Sequence, residues 1–510
     1  MTVSRPNVLL VTIDQWRADC LSVAGHPVVQ TPNLDALAAS GVRFTNHYTQ
    51  AAPCGPSRAS LFTGLYMMNH RSVNNGTPLD ARWPTLATMA REAGYDPVLF
   101  GYTDTTVDPR TVAPDDPRLL SYEGVLPGFR TGVQLPMSAE PWLDWLRAKG
   151  HDVPESVWDL YAQAGPGIPA PYPAECSEAA FLTESALDEV RAATEPWFVH
   201  VAYLRPHPPW LAPPPWHDRY DPADVAAPVR RPTREDEAAL HPLVAAIIDI
   251  PIVRAPDDDE RRAIAATYFG MLSEVDEQLG RLVLGIDELT GGDDTIVVVT
   301  SDHGEQLGDH WFIEKLLWFD SSYRIPLLIR APGASAGAVV DAFTESIDIT
   351  PTLLDRCGIE HPPHVDGASL VPFLDGAGAP PGWREEVRWE WDFRDPRRGT
   401  IEGALGLRMD ECTLAVVRDH AGKYVHFGGH ARGVPPLFFD LGDDPGELVD
   451  RAADPARRGD VADYAQRMLT WRLAHAESTL TGMLAHPKGF TSRRDPPRPA
   501  VLSPEAHPIR

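Results

Sequence analysis

The chain's hydropathy pattern is dominated by short runs of consecutive apolar residues rather than by strict alternation: Asn7–Ile13, then residues 97–100, 196–203 and 295–300. Runs of this length, rich in Val, Ile and Leu, are what a strand buried on both faces of a parallel sheet requires. Helical signals lie between them. Residues 31–41 carry Thr31 as N-cap, Pro32 in the first turn and Gly41 at the close, which predicts a helix. Residues 54–64, with Pro56 in the first turn, predict a second helix with Cys54 just ahead of its N-terminus. Residues 86–93 and 350–356 read as further helices and 325–329 as another strand. Ile264, Tyr268, Met271, Leu272, Val275, Leu279 and Leu282 share one face of a long helix over 258–284. This alternation predicts an α/β fold, a large, mostly parallel mixed sheet flanked by helices.

The pattern changes after about residue 376. Short strand-like pieces at 387–391, 414–417, 424–427 and 437–440 predict a small antiparallel sheet, and Val461, Tyr464, Ala465, Met468 and Leu469 a final amphipathic helix. The expected organisation is a catalytic α/β domain over 1–375, irregular across 105–175 and carrying a Pro-rich insertion at about 205–256. A smaller C-terminal α+β subdomain follows at 376–480, then an extended tail over 481–510. The 51 prolines among 510 residues imply long ordered loops.

Charge narrows the function. With 45 basic and 72 acidic residues the formal charge is −27, which argues against nucleic acid or an anionic membrane as partner. A site for an anionic substrate must then gather its own positive charge. Five scattered cysteines without a CxxC pair indicate neither a disulfide framework nor a thiolate zinc site. No apolar stretch is long enough to span a bilayer, and the first run is too short for a signal-peptide core, so a cytoplasmic protein is expected.

The apolar strands end in polar residues: Asp14 and Gln15 after the first, Tyr102 to Asp104 after the second, His207 after the third, Asp302 and His303 after the fourth. Each alone reads as a solvated strand end. Ligand sites of open α/β sheets lie beyond the carboxyl ends of parallel strands, so these groups should converge. Asp14, Asp302 and His303 suit one divalent cation, Mn or Ca ahead of Mg or Zn because oxygen donors dominate. A Cys54 thiolate in the set would favour Zn or Fe instead. By itself Cys54 reads as a small buried hydrophobe; at a helix mouth it adjoins a place for an anion.

Cys54-Gly55-Pro56-Ser57-Arg58 with Thr63 and Gly64 resembles the C-x-P-S-R-x-x-x-x-T-G signature of the type I sulfatases of the alkaline phosphatase superfamily. The resemblance extends over Asn7–Asp14, Thr31–Asp35, Ser301–Glu305, Phe439–Leu441 and Asp444–Glu447. Asp14–Asp19, Met68–Arg71, Tyr203–Pro209 and Trp471–Ala476 look closest to the phosphonate monoester hydrolases. It implies that Cys54 is oxidised to formylglycine by a formylglycine-generating enzyme, and that Asp14, Asp302, His303 and modified Cys54 bind the metal. Arg58 would steady the modified residue, Lys315 and His207 would contact the transferring group or the leaving oxygen, and Gln15, Asn75, Tyr102 and Asp104 would line the substrate pocket. A hydrated aldehyde offers one hydroxyl to attack phosphorus or sulfur and a second whose deprotonation expels the adduct, a step open to no cysteine.

Two departures stand out. Gln15 occupies the place of a second Asp in many sulfatases, and Asp104 interrupts the threonine run that phosphonate monoester hydrolases carry after the equivalent of Tyr102. Asp104 should repel an anionic substrate or select a cationic group on it. Ser57, often Ala in those hydrolases, leans toward the general sulfatase motif. The expected function is hydrolysis of small anionic phosphonate, phosphate or sulfate esters. The alternatives are a strict sulfatase, a relative using Ser or Thr as nucleophile, against which Cys54 speaks, and an inactive sulfatase-like binding protein. The Trp471 helix and the tail resemble arms that tie subunits together, which implies a homo-oligomer, a dimer or tetramer.

Overall fold

The computed structural model of the chain describes residues 5–362 and 364–492. Its main sheet has eight strands: β1 (Asn7–Ile13), β2 (Val42–Tyr48), β4 (Pro97–Gly101), β5 (Arg130–Gln134), β6 (Phe198–Tyr203), β7 (Thr295–Ser301), β8 (Leu327–Arg330) and β9 (Ala338–Glu345), in the order β5-β4-β6-β1-β7-β8-β2-β9. A two-residue strand, β3 (Ala51–Ala52), belongs to a second sheet. The four apolar runs are neighbours at the centre, with β4, β6, β1 and β7 all parallel. The mixed character comes from β8, which is antiparallel to both β7 and β2.

Burial on both faces explains the continuous apolar composition of β1. Leu9, Val11 and Ile13 face a core shared with α3 (Glu178–Ala192) and α4 (Asp258–Thr290), while Val8 and Leu10 face the core of α2 (Cys54–Thr63) and α5 (Ile349–Arg356). The first helix, α1 (Pro32–Ser40), starts as expected, but Thr31 does not cap it through its side chain. Asp276 of α4 does so, accepting from the N–H groups of Asn33 and Leu34 at 3.0 and 2.8 Å.

Three expectations need correction. The region 105–175 holds β5 and the helices Glu140–Ala148 and Val157–Tyr161, the first of which buries Trp142, Leu143 and Leu146 under a polar face. β2 and β9 escaped notice because parts of both alternate between buried and partly exposed positions, so neither forms an apolar run. Residues 481–492 are not simply extended: Met483–His486 (β14) and Gly489–Ser492 (β15) pair as a hairpin. The remainder of the expected tail lies outside the described residues.

The second sheet runs β13-β12-β11-β10-β3, with β10 (Val387–Asp392), β11 (Thr413–Arg418), β12 (Gly422–Phe427) and β13 (Leu437–Asp440) forming an antiparallel meander. Tyr464, Met468 and Trp471 of α6 (Arg458–Ala474) pack against it. No helix among the described residues is long and apolar enough to cross a membrane.

Candidate active site

Strand register aligns the site. Ile13 lies level with Tyr203 on one side and Ser301 on the other, so Asp14 and Asp302 leave adjacent strands at the same height. A hydroxyl holds the two strand ends together, since Ser301 Oγ lies 2.6 Å from the Ile13 carbonyl and accepts from the Trp16 N–H at 2.9 Å. The following loop depends on Gly304, where a Cβ would sit 2.0 Å from the Ser321 carbonyl oxygen.

Helix α2 delivers Cys54 to these strand ends. Cys54 is the first residue of the helix rather than the one before it, with Pro53 as N-cap. The whole helix is buried, which fixes where its N-terminus points. Asn75 Oδ1 accepts from the Gly55 N–H at 2.8 Å, and Ser57 Oγ donates to the Asp302 carbonyl, tying the helix to the loop it faces.

The ligating atoms of Asp14, Cys54, Asp302 and His303 all lie within 4.8 Å of one another. Cys54 Sγ–H donates to His303 Nε2 at 3.2 Å, and that nitrogen is 3.6 Å from Asp14 Oδ1 and 3.7 Å from Asp302 Oδ1. His303 Nδ1–H donates to the Gly304 carbonyl at 3.1 Å, which directs the Nε2 lone pair into the cluster. Asp14 Oδ1 is buried without a hydrogen-bond partner. An orphaned carboxylate oxygen facing an imidazole nitrogen and a second carboxylate fits a divalent cation, with oxygen donors in the majority once position 54 offers oxygen.

Arg58 neutralises the far side of this cluster. Its fully buried guanidinium sits 2.9 Å from Asp302 Oδ2 and 3.4 Å from Asp14 Oδ2, and stacks 4.3 Å from the Tyr102 ring centre. The Tyr102 hydroxyl donates to Asp14 Oδ2. Burial alone would raise the Asp14 carboxyl, but His207, His303, Lys315 and Arg58 hold it well below the usual carboxylate range. Burial, with Asp14 and Asp302 adding to it, pushes the Cys54 thiol well above its ordinary value despite Lys315. An unmodified Cys54 is therefore a neutral thiol and a poor nucleophile.

The cluster opens into a cavity of about 390 Å³. Of the expected site residues, Asp14, Cys54, Asn75, Tyr102, Asp104, His207 and Lys315 line it. Gln15 does not; its amide is a clamp, donating from Nε2 to Glu305 and accepting from Lys315 Nζ at 2.7 Å. Lys315, also 3.1 Å from Glu314, stays protonated: burial works against its charge, but the carboxylates of Glu314, Asp14 and Asp302 outweigh it. His207 Nδ1–H donates to the Pro208 carbonyl at 2.8 Å, and burial with Lys315 nearby keeps the ring below its ordinary pKa. Asp104, with φ at 48°, is pushed up to about 7 by burial.

Sequence reasoning missed the cavity's other wall: Tyr122, Glu123, Leu135, Met137, Leu204, Ile252, Val253, Glu314 and Leu316. Most come from the stretches read as irregular loop or insertion, where no periodic signal marks a residue that faces a ligand. Glu314 was detectable, as the neighbour of Lys315.

The chemistry gathered at this edge of the sheet, a cluster that could hold a metal ion with fixed positive charge beside it, suits a hydrolase acting on anionic esters. A family model described as Sulfatase matches residues 6–359, and one described as N-sulphoglucosamine sulphohydrolase, C-terminal, matches 308–473. The chain belongs to the sulfatase family, within the alkaline phosphatase superfamily, and is a hydrolase. It is 43% identical to the multifunctional alkaline phosphatase superfamily protein PehA of Trinickia caryophylli, over 96% of this chain and 100% of that one. The crystal structure of the phosphonate monoester hydrolase of Agrobacterium radiobacter superposes with a TM-score of 0.92 at 45% identity, covering 96% of this chain and 100% of that one. An arylsulfatase of Clostridium perfringens is 30% identical over 94% of this chain and 96% of its own length.

Proposed function

We propose that the chain hydrolyses phosphonate monoesters and phosphodiesters, with sulfate monoesters as secondary substrates, through formylglycine at position 54. The observation that carries the reading is the placement of Cys54: a suppressed thiol inside the Cys54-Gly55-Pro56-Ser57-Arg58 motif, at a helix N-terminus and among cation ligands. Likeness to the Agrobacterium enzyme favours phosphonate over sulfate as substrate.

Asp14, Asp302, His303 and the oxygen of residue 54 would hold the cation, Mn or Ca in preference to Mg or Zn. A bound divalent cation supplies Lewis acidity at the attacking oxygen. The protein's own groups do the rest. Arg58 helps keep Asp14 ionised and holds both Asp14 and Asp302 in place. Lys315, locked by Gln15, stays charged against the negative charge that develops on the transferring group. His207, with Nδ1 engaged by Pro208, offers Nε2 to that group or to the leaving oxygen. Formylglycine at position 54 would supply, as its hydrate, one hydroxyl able to attack phosphorus and displace the alcohol and a second whose deprotonation would release the product and restore the aldehyde.

A formylglycine-generating enzyme is the partner this requires. Leu469 and Leu473, 59% and 72% exposed on α6, support the further reading that the chain is a homo-oligomer joined through its C-terminal region. The deciding experiment is the mass of the Cys54 peptide from active protein, with rates on an aryl phosphonate, a phosphodiester and a sulfate ester from the same preparation. Aldehyde or hydrate mass with fastest turnover of the phosphorus esters is expected. A free thiol in fully active protein refutes the mechanism, and turnover of the sulfate alone refutes the substrate class.

A further inference from the structure

We propose that the active-site cavity contains a second, anionic subsite, built on Asp104, Glu123 and the Tyr122 ring, that receives an ammonium group carried by the organic part of the substrate. The inference rests on the reading of the site as an ester hydrolase and adds to it the charge of the substrate's non-reacting end.

Asp104 is only 8% exposed and lines the cavity. Its carboxylate has no hydrogen-bond partner and no ion pair among the described residues. Some buried carboxylates are matched by cations, Glu178 by Arg205 at 2.8 Å and Glu447 by Lys423 at 2.6 Å, and others by hydrogen bonds, as Asp276 is by the Asn33 and Leu34 N–H groups. An unmatched buried carboxylate is costly, and here it faces a cavity rather than packed atoms. Glu123 stands next to it on the same wall, with one oxygen accepting the Met137 N–H. The Tyr122 hydroxyl donates to Met137 Sδ at 3.2 Å, which anchors the ring against the same wall. Carboxylates together with an aromatic ring are the surroundings that attract an alkylammonium ion.

Charge logic separates the two ends of the cavity. Lys315, His207 and the cation ligands suit the anionic group that reacts. A second carboxylate in the same space opposes a purely anionic ester and favours a zwitterionic one, so the alcohol or alkyl part should bear the positive charge. Charges a few ångströms apart at a partly buried site change affinity by about ten- to a hundredfold.

The test is calorimetric titration of metal-loaded, full-length protein with 3-aminopropylphosphonate and with butylphosphonate, which exchange an ammonium for a methyl group. The wild type should bind the ammonium compound at least ~10-fold tighter. Asp104→Asn and Asp104→Thr should bring the ratio to about one by weakening the ammonium ligand selectively, and Glu123→Gln should lower it part of the way. A ratio near one in the wild type, binding of neither compound, a ratio untouched by Asp104→Asn, or equal loss of both ligands in the Asp104 variants would each overturn the proposal. Hydrolysis of an aryl phosphonate monoester that carries no ammonium group, by the same preparation, reports separately on the hydrolase reading: turnover with a ratio of one sinks only the subsite, and a high ratio without turnover sinks only the reaction.

Discussion

Replacing Arg58 with Met tests the electrostatic design of the site, because it removes a charge while nearly keeping the packing. The guanidinium is fully buried, 2.9 Å from Asp302 and 3.4 Å from Asp14, and donates to the Tyr102 carbonyl at 3.1 Å. Removing one partner of a buried ion pair costs about 3–5 kcal/mol, because the other charge stays buried and unmatched. Here two carboxylates are stranded, and metal-free Arg58→Met protein should lose at least that much. A divalent cation changes the arithmetic, since it neutralises the same two carboxylates from the opposite side. In loaded protein the loss should shrink toward the hydrogen bond to the Tyr102 carbonyl and the ring contact, about 1–2 kcal/mol. The variant should therefore gain about 2 kcal/mol more from metal than the wild type does. Thermal unfolding at a single scan rate, with chelator and then with Mn²⁺ at saturation, measures both increments. Equal metal-induced shifts in the two proteins would show that Asp14 and Asp302 do not share a cation.

Asp104, raised from 3.8 to about 7 when folded, binds its proton more tightly in the native chain; its stabilisation is full below pH about 4 and lost as pH rises through about 7. Asp104→Asn should be near neutral at pH 4 and stabilising by up to ~4 kcal/mol above pH 7 in ligand-free protein, and denaturant midpoints with identical pH slopes would contradict this. Lys315→Met should lower kcat/KM by about 10²–10³-fold through loss of charge beside the transferring group, and a loss under tenfold would remove Lys315 from that role. Gly304→Ala forces a Cβ to within 2.0 Å of the Ser321 carbonyl oxygen, so the Asp302–His303 loop must shift; metal affinity by titration should fall about 10–100-fold, and an unchanged value would mean the loop relaxes freely.

The parts of the protein legible from sequence are those where one physical demand acts alone. Asn7–Ile13 and Thr295–Ser301 are buried on both faces, so composition reveals them, and parallel pairing then places Asp14 beside Asp302. β2 answers to two demands, packing and partial solvation, and its alternating composition looks like loop. The cavity wall is harder still. Tyr122, Glu123 and Met137 lie in loop, and Leu135 just beyond the end of β5; only the return of the chain brings them near Cys54. Gln15 shows a different limit, since sequence placed it at the site but not its role: facing Glu305 and Lys315, its amide can donate to one and accept from the other.

The second sheet bears on catalysis through its smallest strand. β3 pairs with β10 through Ala51 beside Glu390 and Ala52 beside Trp391, and the chain reaches Cys54 two residues later. Glu390 also accepts the Met68 N–H just beyond α2 and pairs with Arg472 of α6 at 2.7 Å. The stretches on both sides of α2 are thus fastened to residues from the far end of the sequence. A helix N-terminus works as an anchor for a reacting residue only if it cannot rotate; Ser57 ties the first turn of α2 to the Asp302 loop, and β3 ties the chain that enters it to the second sheet. The C-terminal region is on this argument part of the scaffold that holds α2, through β10 beside the chain leading to Cys54 and through Glu390 at the Met68 N–H.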